Sequence, residues 1–234
     1  MRSRGVSRPR QSHKLEIVGA NPASATNSMK KLFLWNGYKF DIQTCKFDDA
    51  IWFFGCSFVH GYLLEDHQTA PKNLEKIIGI PVINLGISGG NVFNIQHNLS
   101  VLTASYRPRA VVIAWPKPTR WVDPNGFNWG PWMLDSKYDH SDLDHRMLTE
   151  YKSLIETDEI SRMTDKSIRA VKEIIKFYPV VEFNYAKPHW SYLVKTHEIQ
   201  VIDLASDGHH PGPNTNIKVA EWVAEQLTVL GVTK

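Results

Sequence analysis

Five short apolar runs alternate with helical patterns along this chain, and no other sequence feature constrains its fold as strongly. β-Branched and aromatic residues fill the runs with little polar–apolar alternation, which is typical of strands buried on both faces. The runs are IWFFG (51–55), PVINLG (81–86), AVVIAW (110–115), PVVEFNY (179–185) and IQVIDLA (199–205). The pattern predicts an α/β fold, with a five-stranded parallel sheet that carries helices on both faces.

Apolar residues at helical spacing predict four helices between and after these runs. They cover residues 70–79, 91–105, about 160–177, and a last segment that begins near residue 216. Asn214 or Thr215 is expected to cap the last helix, because short polar side chains accept hydrogen bonds from the free N–H groups of a first turn. Residues 116–150 break the alternation, and we interpret them as an insertion.

Basic residues are concentrated at the N-terminus, so the net charge of +3 does not describe the body of the chain. Five of the 27 basic residues precede the first acidic residue, Glu16, which leaves 22 basic against 24 acidic residues, a formal charge of −2. We interpret residues 1–50 as a basic extension with a lead-in segment, and residues 51–234 as one domain. Nucleic-acid binding is expected at most through the basic arm, since such arms are more often solvated tails.

Several other protein classes do not fit the sequence. No apolar run approaches the ~20 residues that a membrane-spanning helix needs, and the N-terminal segment lacks the apolar stretch of a secretory signal. The two cysteines, Cys45 and Cys56, form neither a disulfide framework nor a paired metal-ligand motif. We expect a cytoplasmic or virion-associated protein, and its assembly into an oligomer or a larger particle stays open.

Glycine, serine, histidine, lysine or acidic residues follow four of the five predicted strands. In open parallel sheets, sites form beyond the carboxyl ends of the strands, so these segments are expected to converge. Gly55-Cys56-Ser57 follows the first run, NLGISGGN the second, WPKPTRW the third and SDGHHPGPN the fifth. This convergence is the first indication of a functional site.

The segment after the fifth run carries Asp207 and His210 three residues apart. At this spacing the carboxylate can hold one imidazole nitrogen while the other nitrogen faces a nucleophile. Ser57 is the candidate nucleophile, because a serine hydroxyl needs a nearby base to take its proton. His209 competes with His210 for the role of base, and the turn at Pro211 favours His210.

Three of these segments together resemble the sequence blocks of the SGNH hydrolases, also called GDSL esterases and lipases. Residues 55–57 match the Gly-Asp-Ser block, NLGISG (84–89) matches the second block, and residues 207–211 match the final Asp-x-x-His-Pro block. The resemblance covers residues 51 to about 229. It implies a three-layer α/β/α sandwich of flavodoxin-like type, an esterase activity, and no metal or cofactor.

The resemblance also implies a role for individual residues of this chain. Ser57 would be the nucleophile, His210 the base, and Asp207 the acid that orients His210. The backbone N–H groups of Ser57 and Gly89 would bind the oxyanion that forms when the nucleophile attacks.

The chain departs from the family pattern in two blocks. Cys56 replaces the aspartate of Gly-Asp-Ser, which is not the triad acid. After the third strand the family has Gly-x-Asn-Asp, whose asparagine donates to the oxyanion, whereas this chain has Trp-Pro-Lys-Pro at 115–118. Lys117 or Asn91 is the candidate for a replacement donor. The loss of one donor typically costs ~10²–10³ in rate.

The predicted insertion is rich in aromatic residues, and Trp115 and Trp121 at its start are candidates for substrate binding. The competing interpretation is that such rings pack the insertion onto the body. Four residues nearby resemble metal ligands at first sight: His140, Asp142, Asp144 and His145. Their spacing matches no metal template, and we interpret the segment as the charged start of a helix.

The sequence therefore predicts a serine hydrolase of ester bonds that removes an acyl group, such as acetate, from a carbohydrate or small-molecule substrate. The alternative is a weakly active or inactive SGNH-like module that binds glycans or forms part of a larger assembly such as a virion. The Gly-Cys-Ser variant and the basic arm suggest a phage-encoded member.

Overall fold

The structure is a computed structural model, and it describes residues 45–123, 127–134, 145–186, 194 and 196–234. The strands in this part of the chain are β1 (Ile51–Gly55), β2 (Val82–Gly86), β3 (Ala110–Ala114), β4 (Trp121–Val122), β5 (Asn128–Trp129), β6 (Val180–Ala186) and β7 (His197–Gln200). The α-helices are α1 (Ser57–His60), α2 (Ala70–Ile78), α3 (Val92–Thr103), α4 (His145–Glu156), α5 (Glu159–Ile175) and α6 (Pro213–Val229).

Five of the strands form one parallel sheet in the order β2-β1-β3-β6-β7. The predicted α/β fold with a five-stranded parallel sheet is confirmed. The strand order reverses at β1, which pairs with β2 on one side and β3 on the other. In doubly wound sheets, a crevice opens beyond the carboxyl ends of the strands at such a reversal. The segment after β1 therefore lies at the favoured position for a site.

Helices cover the sheet on both faces, because successive side chains of each buried strand point to opposite sides. Ile51 and Phe53 belong to the core under α2 and α6, which pack against each other. Trp52 and Phe54 belong to the core under α3 and α5, which form the second pair. The result is the expected α/β/α sandwich.

The fifth predicted strand is the one that the structure corrects. Strand β7 ends at Gln200, and residues 201–205 form a loop in which Leu204 pairs with Pro211. The last helix begins at residue 213, after Gly212, and neither Asn214 nor Thr215 is its N-cap. The backbone N–H groups of these two residues instead bond to the carboxylate of Asp203.

The segment that we interpret as an insertion contains a small antiparallel ladder. Strands β4 and β5 pair through Trp121 opposite Trp129. These two rings pack with Met133, Tyr151 and Ile160 in a third apolar cluster, which joins the insertion to α4 and α5. Helix α4 was not predicted as a separate helix.

The lead-in segment before β1 packs with the body as far as the structure describes it. Phe47 and Ala50 are buried in the core on the α3 and α5 side. Asp49 forms a surface ion pair with Arg109, just before β3. No helix of the described residues is both long and apolar enough to cross a membrane.

Candidate active site

Ser57 begins the short helix α1 directly beyond the carboxyl end of β1 and is 5% exposed. The helix packs closely on the end of β2, where a Cβ added to Gly86 would lie 2.3 Å from the backbone nitrogen of His60. Asn84 holds it there: its Nδ2 donates to the carbonyl of Val59 at 3.1 Å, and its Oδ1 accepts the N–H of Gly86 at 3.0 Å. These contacts set the position of Ser57 relative to the sheet.

The imidazole of His210 lies between Ser57 and Asp207. Its Nε2 is 3.0 Å from Oγ of Ser57, and its Nδ1 is 2.5 Å from Oδ2 of Asp207. The other carboxylate oxygen of Asp207 accepts the backbone N–H groups of His209 and His210 at 2.9 and 3.1 Å. The side chain of His209 is exposed, and the histidine beside Ser57 is His210.

The Asp207 carboxylate is held in its ionised form. Burial raises its pKa, but the N–H groups of His209 and His210 and the imidazole of His210 outweigh burial and lower the pKa to about 2. An ionised carboxylate only accepts hydrogen bonds, so Nδ1 of His210 carries the proton of the bond to Asp207. Nε2 is then the acceptor that faces the hydroxyl of Ser57.

Asp203 anchors the loop that carries His210 to the start of α6. Its carboxylate accepts the backbone N–H groups of Asn214 and Thr215 at 2.9 and 2.7 Å, and the hydroxyl of Thr215 at 2.6 Å. Burial raises the pKa of Asp203, while these bonds to Thr215 and Asn214 lower it, and the net direction is down. The N–H of Ala205 donates to the carbonyl of His210 at 2.8 Å and closes the loop.

Two aromatic rings surround the imidazole. Phe58 meets the ring of His210 edge-on with centroids 5.5 Å apart, and Tyr62 lies at 4.9 Å in a tilted arrangement. Phe58 is buried and supports His210 from inside, whereas Tyr62 is 38% exposed and lies at the outer side. The imidazole therefore packs against one buried ring and one exposed ring.

The two predicted oxyanion donors have N–H groups available. Among the hydrogen bonds of the described residues, none uses the backbone N–H of Ser57 or of Gly89. Gly89 has a φ of +72°, in the left-handed region that residues with a side chain rarely adopt, and it lies in the loop between β2 and α3. The next N–H, of Gly90, is instead bonded to the carbonyl of Ile87 at 2.9 Å.

The two candidates for a third donor differ in their surroundings. Asn91 is 1% exposed and caps α3: its Oδ1 accepts the N–H of Asn94, and its Nδ2 donates to Oδ1 of Asn128. Lys117 is half-buried after β3, and burial followed by the charge of Arg120 lowers its pKa. The amide of Asn91 is thus engaged at both ends.

Trp115 and Trp121, the residues predicted to bind substrate, are both buried. Trp115 is 3% exposed, lies in the core under α3 and α5, and donates its indole N–H to Glu182 at 3.0 Å. Trp121 is 6% exposed in the core of the insertion. Both rings are buried because their large apolar faces fill the space between layers, so they offer no face to a ligand.

Sequence reasoning missed Asn84, Asp203 and Arg120. The first two are polar residues inside runs predicted to be buried strands, and this was a usable signal, because a buried polar group must be hydrogen-bonded. Arg120 is buried, donates to the carbonyl of Gly90 at 2.9 Å and stacks on the ring of Trp132. It connects the insertion to the loop between β2 and α3, and no feature of the sequence predicts this contact.

No group of histidine, cysteine, aspartate and glutamate side chains in the described part of the chain could hold a metal ion. His140, Asp142 and Asp144 lie outside the described residues. His145 is the first residue of α4 and is exposed.

Comparisons with known proteins give similarities to solved structures only. No protein-family model matches the chain, and a search of curated proteins gave no significant match. Among solved structures, a protein from Desulfitobacterium hafniense described as lipolytic and of the G-D-S-L family is 15% identical, with 77% of this chain and 100% of that chain covered and a TM-score of 0.40. The chain is similar to GDSL-type lipases and esterases.

Two further solved structures show the same kind of similarity. The psychrotrophic esterase EstA from a Pseudoalteromonas species is 15% identical over 78% of this chain and 98% of that chain, with a TM-score of 0.40. A carbohydrate esterase family 2 enzyme from Corynascus thermopiles is 13% identical over 80% of this chain and 68% of that chain, with a TM-score of 0.45.

Proposed function

We propose that this protein is a divergent SGNH-type serine hydrolase that cleaves carboxylic esters through Ser57, His210 and Asp207. The observation that carries the proposal is the continuous hydrogen-bonded chain from Asp207 through His210 to Ser57, with distances of 2.5 and 3.0 Å. A carboxylate, an imidazole and a hydroxyl in this order form the arrangement that activates a serine.

The reaction follows from the protonation states of the three groups. Ser57 Oγ attacks the ester carbonyl carbon while its proton passes to Nε2 of His210, and Asp207 stabilises the resulting imidazolium. The carbonyl oxygen becomes an oxyanion, which the N–H groups of Ser57 and Gly89 bind. His210 then gives the proton to the leaving alcohol, and the C–O bond to that alcohol breaks.

Water completes the cycle by the same route in reverse. His210 takes a proton from a water molecule, whose oxygen attacks the acyl carbon on Ser57. The carbonyl oxygen again becomes an oxyanion in the same hole. Its collapse breaks the bond to Oγ, Ser57 recovers its proton from His210, and the acid is released.

We propose a short acyl group, such as acetyl, on a carbohydrate or another small molecule as the substrate. Ser57 is almost fully buried, and Phe58 and Tyr62 pack against the imidazole beside it. A short acyl group needs little room next to Ser57, while the alcohol part of the ester can extend past the exposed Tyr62. This geometry favours small acyl groups over long chains.

The alternative function is a weakly active or inactive module that binds a glycan or serves a larger assembly. One observation favours it: the segment after β3 carries Lys117 where an asparagine donor is expected. Such a protein would keep the fold and the hydrogen-bonded chain but would stabilise the oxyanion poorly.

A fluorophosphonate probe distinguishes the two functions, because it reacts only with an activated serine. We expect covalent labelling that mass spectrometry locates at Ser57, and its absence in Ser57→Ala and His210→Ala. Circular dichroism of the three proteins serves as the control for folding. A folded wild-type protein without a label at Ser57 would favour the binding module.

A further inference from the structure

The insertion places an asparagine beside the predicted oxyanion hole. Asn128 lies on β5, where it pairs with Val122 of β4. A Cβ built on Gly89 would lie 3.6 Å from Cβ of Asn128, so the side chain of Asn128 begins close to the face of this glycine. Gly89 is the residue whose N–H is proposed to bind the oxyanion. The amide of Asn128 is therefore within one side-chain length of that position.

A chain of hydrogen bonds determines which way this amide is turned. Oδ1 of Asn91 accepts the backbone N–H of Asn94 at 3.1 Å, in a reciprocal capping box at the start of α3. The other end of the Asn91 amide, Nδ2, must then be its donor, and it bonds to Asn128 at 2.9 Å. Asn128 accepts this bond through Oδ1, so its own Nδ2 is turned away from Asn91.

The NH₂ group of Asn128 is also available. Within the described part of the chain it donates no hydrogen bond to protein, and it is not among the buried side-chain atoms without a partner. Asn128 itself is half-buried. A side-chain donor that is oriented by the protein and open to solvent needs no reorganisation when charge develops beside it, which is the property required of an oxyanion donor.

We propose that Nδ2 of Asn128, supplied by the insertion, is the third donor to the oxyanion in this protein. The inference rests on the proposed function and explains how the site works with Trp-Pro-Lys-Pro after β3. Asn91 acts as a positioning residue, since its bond to Oδ1 fixes the rotation of the Asn128 amide. Lys117 is then not required as a donor.

Two substitutions of Asn128 separate a donor from a structural role. Asn128→Ala removes both the donor and the acceptor of the Asn91 bond. Asn128→Asp has the same shape and still accepts from Asn91, but it replaces the donor by a negative charge next to the oxyanion. Asn73→Ala is the matched control, because it removes a half-buried amide that donates to Gln68 ahead of α2.

The experiment measures kcat and KM for an aryl acetate, together with the melting temperature, in wild type and these variants. We expect kcat to fall by about 10²-fold in Asn128→Ala with little change in KM, since one oxyanion donor has this weight. Asn128→Asp should be slower still at an unchanged melting temperature, and Asn73→Ala should match wild type.

The opposite pattern overturns the inference. If Asn128→Asp keeps the wild-type kcat while Asn128→Ala loses activity, Asn128 only supports Asn91. If both are as fast as wild type and Lys117→Ala is slow, the donor is Lys117. In either case the wild-type protein still hydrolyses the ester, so the proposed function stands and only this inference fails. A wild-type protein that does not hydrolyse the ester contradicts both.

Discussion

Asp207 and His210 are coupled closely enough that the charge of one residue determines the tautomer of the other. The carboxylate receives two backbone N–H groups and the imidazole Nδ1–H, and it is mostly buried. At the scale of single residues, this arrangement both orients the proposed base and stabilises the loop. The second effect is measurable without any substrate.

Asp207→Asn should therefore destabilise the protein in a pH-dependent way. The folded-state pKa of Asp207 is about 2, against an ordinary aspartate pKa of 3.8. A lowered carboxyl pKa stabilises the fold above the unfolded-state pKa, and this contribution is lost as the pH falls through the folded-state pKa. We expect wild type to exceed Asp207→Asn by about 2 kcal/mol in unfolding free energy near neutral pH.

Urea unfolding of both proteins between pH 7 and about pH 2 measures this difference. It should be constant above about pH 4, and it should shrink as the pH approaches 2. A difference that stays constant down to the lowest pH would show that the carboxylate charge is not what stabilises the loop.

At the scale of secondary-structure elements, the site depends on two junctions. Helix α1 is bonded to the end of β2 through Asn84, and the loop with His210 is bonded to the start of α6 through Asp203. Ser57 and His210 approach each other only because both junctions hold. The segments after the strands supply the residues of the site, and these polar contacts hold the segments in place.

Asp203→Ala tests the second junction. The substitution leaves the N–H groups of Asn214 and Thr215 without their acceptor, and loss of such a helix-capping side chain costs about 0.5–2 kcal/mol. We expect a lower unfolding free energy of this size and a lower kcat, because His210 is less well held. Glu221→Ala, an exposed change on the same helix, is the control and should leave both quantities at the wild-type value.

A second variant, Asp203→Ser, replaces the carboxylate by a hydroxyl that can still accept a hydrogen bond from the first turn of α6. If Asp203→Ser recovers stability as a cap but also recovers kcat, the loop needs only a capped helix. Loss of stability without any change in kcat would contradict the link between this junction and His210.

At the scale of the whole molecule, most of the sheet could be predicted because three of its strands, β1, β2 and β3, are buried along their whole length and β6 is buried along most of it. Their apolar runs leave no other interpretation, and β1 has the predicted bounds. Strand β7 lies at the edge of the sheet, with only Ile199 buried. Its signal was therefore weak, and apolar residues beyond it, among them exposed Ile202, shifted the prediction too far along the chain.

The site was predictable only as far as local spacing determines it. Asp207 and His210 lie in one turn, and Ser57 follows a strand, so general chemistry selects them from the sequence. Asn128 is bonded to Asn91, which lies 37 positions away in the chain. No sequence pattern predicts that the β4–β5 ladder packs beside the start of α3. Trp115 is the opposite case. Its position after a strand suggested a ligand-binding role, but its ring packs in the core between the sheet and the helices.

The central claim is that Ser57 takes an acyl group from an ester, and rapid-quench mass spectrometry of the protein mixed with an aryl acetate tests it most directly. We predict one acetyl group on Ser57 within the first turnover, released afterwards by water, and none on Ser57→Ala. Acetate release that is equal in wild type and Ser57→Ala, or an acetyl group found only on another residue, would contradict the account.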